Sequence, residues 1–227
     1  FPTRRSSDLD TSLLIGKEVT ERKAGIWIDE PIEASAIIRP RNTKEISKIL
    51  SLCNKHKVEV VPHGGLTGLS QGAISKKGQL AISTELMTEI EGVDTFGRTI
   101  TAQSGVKLQT IQEAAEKENM LFPLDLGARG TCTIGGNAST NAGGNKVIRY
   151  GMTRDLVLGL EAVIADGTII SSMNRMLKNN TGYDLKQLFV GSEGTLGIIT
   201  RLILRLKEKP LSDNTALLAL NSFDDIK

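Results

Sequence analysis

Cysteine, histidine and aromatic residues are scarce in this sequence, and each scarcity closes a class of function. There are two cysteines and two histidines in 227 residues. Cys53 and Cys132 lie in dissimilar contexts, so a secreted disulfide framework is excluded and a reducing compartment is expected. With only His56 and His63 beside a cysteine pair that is not spaced as a zinc clamp, no metal site is expected within the sequence. Phe, Trp and Tyr together make up 4% of the chain, too few for the stacking platforms that hold single-stranded nucleic acid. Neither sign of charge dominates at a formal +2, which argues against a nucleic-acid or acidic-lipid partner. No apolar run is long enough to span a bilayer, and no segment reads as a signal peptide. A cytoplasmic setting is expected, with peripheral membrane association left open.

Several motifs are also missing. There is no G-x-G-x-x-G, so the dinucleotide fingerprint of the doubly wound folds is absent, and no G-x-x-x-x-G-K-[ST], so a P-loop is excluded. The stretch "GSEG" at 191–194 misses the G-x-S-x-G elbow by one position.

What the sequence has is pattern and glycine. "SAIIRP" (35–40) reads as a strand. "TKEISKILSLCNKH" reads as an amphipathic helix with Thr43 as its cap and Ile46, Ile49, Leu50 and Cys53 on one face. His56, near its end, reads as a surface residue that complements the helix dipole. "KVEVVP" and "LAIST" follow as strands, giving a βαβ unit with parallel pairing. The pattern then changes. "EIEGVD" and "RTITAQS" flank "TFG" as a hairpin. "KLQTIQEAAEKE" is a helix with Leu108, Ile111, Ala114 and Ala115 on one face. "VLGLEAVIADGTII" is two strands joined through Asp166 and Gly167, a strong hairpin signal. "DLKQLF" is a helical turn, and "TLGIITRLILRLK" ends in an alternating strand. The expected class is α+β: a small βαβ lobe followed by a mainly antiparallel lobe with helices.

Both ends stand apart. Residues 1–9, "FPTRRSSDL", have no helical or strand period and match one reading frame of a common sequencing-adapter oligonucleotide. They are expected to be an assembly artefact. "ALLALNSFDDIK" reads as a strand followed by the first turn of a helix capped by Asn221 or Ser222. The chain is thus expected to stop inside an element.

Three glycine-rich segments interrupt the pattern, among 23 glycines in all. "PHGGLTGLSQG" (62–72) follows a strand directly. Its glycines permit positive φ and let backbone N–H groups converge on an anion. It holds no Lys or Arg, so anion binding would rest on amides and on the Thr67 or Ser70 hydroxyl. Read alone, it serves equally well as a plain βα connection. "LDLGARGTCTIGGNASTNAGGNKVIRYG" (124–151) is long for a loop without elements, which points to function. Its glycine pairs suggest close approach to a flat ligand or to another backbone. "GSEGTLGIITRL" (191–202), read alone, is a tight turn into an edge strand. Together the three suggest an elongated, phosphate-bearing cofactor held mostly by backbone. Arg129, Arg149 and Arg154 read as solvated or phosphate-facing.

The segments "PHGGLTGL", "PLDLGARGTCTIGGNASTNAGG", "RYG", "LGLEAVIADGT" and "NTGYDLKQLFVGSEGTLGIIT" resemble the FAD-binding (PCMH-type) domain of flavin-dependent D-2-hydroxyacid dehydrogenases. That group belongs to the vanillyl-alcohol-oxidase superfamily. The likeness covers residues 34–210, with 211–227 the start of a C-terminal substrate (cap) domain. It implies FAD between two lobes. Pro62, His63, Gly64, Gly65, Leu66, Thr67 and Gly68 would cradle the pyrophosphate. Gly127, Thr131, Cys132 and Thr133, with Thr140, Asn141, Ala142 and Gly143, would line the flavin and its ribityl chain. Glu193, Gly194 and Ile199 would complete the pocket. Covalent relatives carry a His directly after the first glycine pair; Leu66 stands there, so noncovalent FAD is expected.

The resemblance implies oxidation of a D-2-hydroxy acid (D-lactate, glycolate or D-2-hydroxyglutarate) to the 2-oxo acid, with hydride passing from C2 to the flavin as a base takes the hydroxyl proton. The base, much of the carboxylate clamp and, in several members, a divalent metal site come from the cap domain, expected beyond Lys227. No catalytic residue is therefore assigned, and the isolated chain is expected to be inactive. The electron acceptor is open among quinone, cytochrome, electron-transfer flavoprotein and oxygen. A homodimer is one assembly the resemblance allows. Two rival readings stand beside it: other flavin chemistry of the superfamily, of ether-lipid synthase or aldonolactone oxidase type, and a non-enzymatic binding module.

Overall fold

The computed structural model describes residues 12–212 and 214–226, so the expected artefact at 1–9 lies outside the described residues. Two lobes follow one another along the chain. The first holds β1 (Leu13–Leu14), α1 (Lys17–Thr20), β2 (Ala36–Ile38), α2 (Thr43–His56), β3 (Val60–His63) and β4 (Leu80–Ser83). Its sheet runs β1-β2-β4-β3. Both β2 and β3 pair parallel with β4, as the βαβ pattern predicts. They are not neighbours, however, because β4 inserts between them. The short β1 closes the outer edge of β2 in antiparallel register.

Helix α2 buries Ile46, Leu50 and Cys53 along one stripe, as its period dictates. The expected cap is displaced by one residue. Asn42 Oδ1 accepts from the Glu45 N–H at 3.0 Å, and Glu45 Oε2 accepts from the Arg41 N–H at 2.9 Å. Such a cap stabilises by about 1 kcal/mol. Thr43 instead donates its hydroxyl to Glu161 Oε1 in the other lobe, at 2.6 Å.

The second lobe is built on β5 (Ile90–Asp94), β6 (Thr99–Gln103), β8 (Val157–Val163), β9 (Ile169–Ser172) and β10 (Ile198–Arg205). Their order is β5-β6-β10-β8-β9, and every neighbouring pair is antiparallel. Both hairpins read from the sequence form here. Strand β10, expected at an edge, lies at the centre. It is hydrogen-bonded on both sides, which its nearly continuous burial requires. Helix α3 (Leu108–Lys117) packs Leu108, Ile111 and Ala115 into the main core beside Ile100, Ala102, Leu160 and Leu202. A two-residue pair, β7 (Met120–Leu121) with β11 (Lys207–Glu208), closes one end.

The lobes share a core. Ile46 and Leu50 of α2, Ile82 of β4 and Met87 meet Val163 of β8 and Ile198 of β10. The β8–β9 turn locks onto α2. Gly167 has φ +90°, a side chain there would fall 2.5 Å from the Ser47 carbonyl, and Ser47 Oγ donates to the Gly167 carbonyl at 2.5 Å. The strand expected before Asn221 does not form: residues 214–220 pair with no sheet, and an isolated strand has no partner for its backbone groups. Of the two candidate caps, Ser222 acts, accepting from the Asp225 N–H at 3.3 Å ahead of a single 3₁₀ turn.

Candidate cofactor site

A cleft of about 480 Å³ opens between the lobes, walled by all three glycine-rich segments. The first segment leaves β3 at His63. That ring is buried, and its Nε2 lies 2.9 Å from the Ala73 carbonyl. A carbonyl only accepts, so Nε2 carries the proton. Burial pulls the ring's basicity below its usual value, outweighing the bond to Ala73 that raises it. The glycine pair then backs onto the second segment. A side chain on Gly65 would meet the Thr131 carbonyl at 2.4 Å and Cys132 Cα at 2.8 Å, and one on Gly64 would meet Thr133 Oγ1 at 2.8 Å. At Gly65 this seam is backbone against backbone. Beyond it, Leu66 and Gln71 adopt φ of 53° and 63°. From Gly65 to Ser70, no backbone N–H finds an acceptor among the described residues. That is a run of amide donors along one wall of the cleft.

The second segment is more regular than expected. It contains α4 (Ile134–Ser139) and α5 (Val147–Tyr150), and α6 (Thr153–Leu156) follows. Thr133 caps α4, accepting from the Gly136 N–H at 3.4 Å. The first amides of α4 are taken by the chain itself, Ile134 to the Val106 carbonyl and Gly135 to that of Ser104. The glycines again admit neighbouring backbone: a side chain on Gly135 would fall 2.9 Å from the Ser104 carbonyl, and one on Gly144 1.7 Å from the Asp125 carbonyl.

The third segment ties the other two together. Glu193 has φ +51°, between Gly191 at +87° and Gly194 at +79°. Its N–H donates to the Ser139 carbonyl at 2.8 Å, and its Oε2 accepts from Ser70 Oγ at 3.2 Å. A side chain on Gly194 would strike Pro62 Cγ at 2.7 Å.

The structure brings together Pro62, His63, Gly64, Gly65, Leu66, Thr67, Gly68, Gly127, Cys132, Thr133, Thr140, Ala142, Glu193, Gly194 and Ile199 at this cleft. Thr131, Asn141 and Gly143 stand behind the wall. Thr131 presents its carbonyl to Gly65, Asn141 Oδ1 accepts from the Arg154 N–H at 2.9 Å, and Gly143 sits against Val147 and Met152. The three arginines do not line the cleft, and Arg154 is no solvated side chain. Its guanidinium donates to the Gln187 carbonyl and Oε1 at 2.8 Å and to the Val190 carbonyl, stapling α6 to α7 (Lys186–Phe189). Arg129 pairs with Asp125 at 3.5 Å, and Arg149 stacks on Tyr150.

Sequence reasoning missed Trp27 and Ile26 at the rim, and Ser104 and Asn137 in the wall; Ser70, named there as a candidate hydroxyl, does line it. Nothing local marks Trp27; it reaches the cleft because its loop packs against the first segment, where a side chain on Gly25 would touch the Gly68 carbonyl. Ser104 directly follows β6, and its hydroxyl is buried without a partner among the described residues. A polar residue at the end of a buried strand was the available signal. No group of three or more His, Cys, Asp or Glu among the described residues could hold a metal ion.

A long cleft with free amides, open space in front of Gly68 and Gly127, and no Lys or Arg in its wall suits a flat dinucleotide held by backbone. The comparisons agree. Residues 34–172 match the model of the FAD-binding domain family, so this chain belongs to that family, whose cofactor is FAD. It is 44% identical over 222 residues to the mitochondrial D-2-hydroxyglutarate dehydrogenase of Danio rerio, a match that covers 95% of this chain and 42% of that protein. It is 42% identical over 209 residues to the D-2-hydroxyglutarate dehydrogenase of Xanthomonas citri pv. viticola, covering 92% and 43%. A Schizosaccharomyces pombe relative, 41% identical over 189 residues and covered over 36% of its length, carries a D-lactate dehydrogenase name. The chain thus spans about two fifths of the length of these relatives. Among solved structures, an alkyldihydroxyacetonephosphate synthase superposes with a TM-score of 0.77 at 20% identity, covering 93% of this chain and 42% of that one; this likeness is one of fold. No helix among the described residues is long and apolar enough to cross a membrane.

Proposed function

We propose that this chain holds FAD noncovalently in the interlobe cleft, as the cofactor-binding part of an oxidoreductase that converts a D-2-hydroxy acid to the 2-oxo acid. The observation that carries the reading is the run of amides from Gly65 to Ser70 that have no acceptor among the described residues, in a cleft wall that among those residues holds no Lys or Arg. Such a run neutralises a diphosphate by dipoles alone. FAD, when bound, supplies the two-electron acceptor for the hydrogen on C2 of the acid. The chain's own residues bind and orient it. Residues 62–68 cradle the diphosphate. Gly127, Thr131–Thr133 and Thr140–Gly143 flank the ring and its side chain, Thr131, Asn141 and Gly143 acting from behind by holding the wall in place. Glu193, Gly194 and Ile199 close the far side. Leu66 offers no atom for a covalent flavin bond.

The domain is taken as residues 34–210, with 211–227 leading into a substrate domain. The base, much of the carboxylate clamp and any divalent metal site are assigned to residues outside this chain. D-lactate, glycolate and D-2-hydroxyglutarate are the candidate substrates, and a quinone, a cytochrome or an electron-transfer flavoprotein the candidate acceptor. Relatives at 41–44% identity support the hydroxyacid chemistry over an ether-lipid synthase, to which the likeness is 20%.

The test is to soak the purified chain with FAD, desalt it, and record its spectrum before and after acid precipitation. A retained flavin spectrum, with the colour released to the supernatant by acid and no turnover of D-lactate or D-2-hydroxyglutarate, is expected. Loss of all flavin on desalting would favour a plain binding module. A yellow pellet would refute noncovalent binding, and turnover by the chain would refute the placement of the base elsewhere.

A further inference from the structure

Three large apolar side chains stand exposed at the mouth of the cleft: Ile26 and Trp27 from the loop before β2, and Leu69 from the first glycine-rich segment. A single exposed apolar residue needs no explanation, but several at the rim of a concave site mark a surface that something covers. Trp27 is the extreme case, with 81% of its surface in solvent. The loop that carries it is tied at its base. Lys23 bridges Pro31, and the Ile32 N–H donates to the Arg22 carbonyl at 2.9 Å. Lys23 Nζ pairs with Asp29 at 2.7 Å. The other apolar residues of this stretch, Ala24, Ile28 and Ile32, pack into the small core of the first lobe. Ile26 and Trp27 do not join them and are left at the cleft. The loop also leans on the first glycine-rich segment: a side chain on Gly25 would come within 3.1 Å of the Gly68 carbonyl. The indole is thus carried beside the amide run of residues 65–70.

A ligand that covers an indole there must offer a flat face close to its diphosphate. None of the candidate acids carries a ring, whereas FAD carries a planar heteroaromatic system on each side of its diphosphate. We infer that Trp27 stacks on a ring of the bound dinucleotide and that the loop 23–31 is thereby a clamp that retains the cofactor. Trp27 lies before residues 34–172, the stretch that matches the FAD-binding family, so the clamp is an addition to that domain. The inference rests on the FAD reading above. It also answers a need of the site. The wall gives the diphosphate dipoles, but among the described residues no Lys or Arg, and a stacked ring supplies affinity that needs no charge.

The experiment is a titration of the full chain, followed by flavin fluorescence, with FAD and with flavin cytosine dinucleotide, whose smaller base stacks less. The proteins are wild type, Trp27→Phe and Trp27→Ala, and the thermal midpoint of each is recorded without cofactor. Trp27→Ala is expected to bind FAD on the order of tenfold more weakly, the usual loss when a stacking aromatic is removed from a base. Trp27→Phe is expected to retain most of the affinity. The cofactor-free midpoints should coincide, because so exposed a side chain supports little of the fold; a merely structural tryptophan would lower midpoint and affinity together. A preference for FAD over the cytosine analogue that disappears in Trp27→Ala assigns the stack to the adenine. An unchanged ratio, with both ligands weakened, assigns it to the isoalloxazine. Equal FAD affinity in wild type and Trp27→Ala would overturn the inference and leave the FAD reading intact, as would a fall in midpoint that parallels the loss of affinity. Failure of the wild-type chain to take up FAD would overturn both.

Discussion

Gln71 and Leu66 share one loop and one unusual backbone, but only one of them is compensated. A left-handed conformation costs an L-residue roughly 1–2 kcal/mol. Leu66 packs its side chain against the small core around Ile32 and Ile37, which offsets that cost. Gln71 is exposed. Gln71→Gly is therefore expected to raise stability by about 0.5–1 kcal/mol, after the extra chain entropy that glycine loses on folding, read as a higher urea midpoint at unchanged slope. Gly144→Ala should act in the opposite sense. The new methyl would fall 1.7 Å from the Asp125 carbonyl, and backbone yields less easily than a side chain. A loss of about 3 kcal/mol, at the upper end of overpacking costs, is expected in the same assay. These residues also mark what could be read in advance. That the glycine pairs admit a close approach follows from their lack of a side chain. That they admit Thr131, Ser104 and Asp125, rather than only a ligand, depends on which distant segments meet, and no local pattern carries that. The cap of α2 is similar. Asn42 and Thr43 are both capping types, and the choice falls to Asn42 because Thr43 is drawn to Glu161 across the lobe boundary.

Elements formed by local rules were legible: α2 and α3 from their apolar period, and the β5–β6 and β8–β9 hairpins from their turns. The insertion of β4 between β2 and β3 was not, nor the central place of β10, because both are set by non-local pairing. Two joints between elements invite measurement. The first couples α2 to the large sheet. Glu161 accepts from Thr43 Oγ1 at 2.6 Å and from Thr200 Oγ1 at 2.9 Å. A double-mutant cycle with Thr43→Val and Glu161→Gln is expected to give a coupling of about 1.5–3 kcal/mol, as for hydrogen bonds to a charged group. The second joint is Glu85, which follows β4 and is gripped by Arg22 at 2.8 Å and Arg39 at 2.9 Å. Burial alone would raise its carboxyl, but the hydrogen bonds from the two arginines prevail and hold it below its usual value. A carboxyl lowered by folding adds stability that is present above its unfolded value of about 4.3 and is lost as pH falls through the lower folded value. Glu85→Gln should thus flatten the acid limb of a stability–pH curve and lower the plateau at neutral pH. An unchanged acid limb would show that the clamp contributes nothing.

At the scale of the whole molecule, the cleft is bounded by two lobes that share one buried cluster, so occupancy and folding are linked. A ligand bound only by the folded chain stabilises it by about 2.7 kcal/mol at a hundredfold excess over Kd. FAD should therefore raise the thermal midpoint in a concentration-dependent way. Because the wall has no Lys or Arg, this gain should change little between low and high salt. A steep salt dependence would instead reveal cations that reach the diphosphate.

Trp27 gives this architecture an optical consequence. The sequence holds one tryptophan, and the fold sets it at the mouth of the cleft with 81% of its surface in solvent. Its emission reports on that location alone. A yellow chromophore bound in the same cleft would drain the excited indole by energy transfer, so the chain carries its own gauge of filling and emptying, readable without any label.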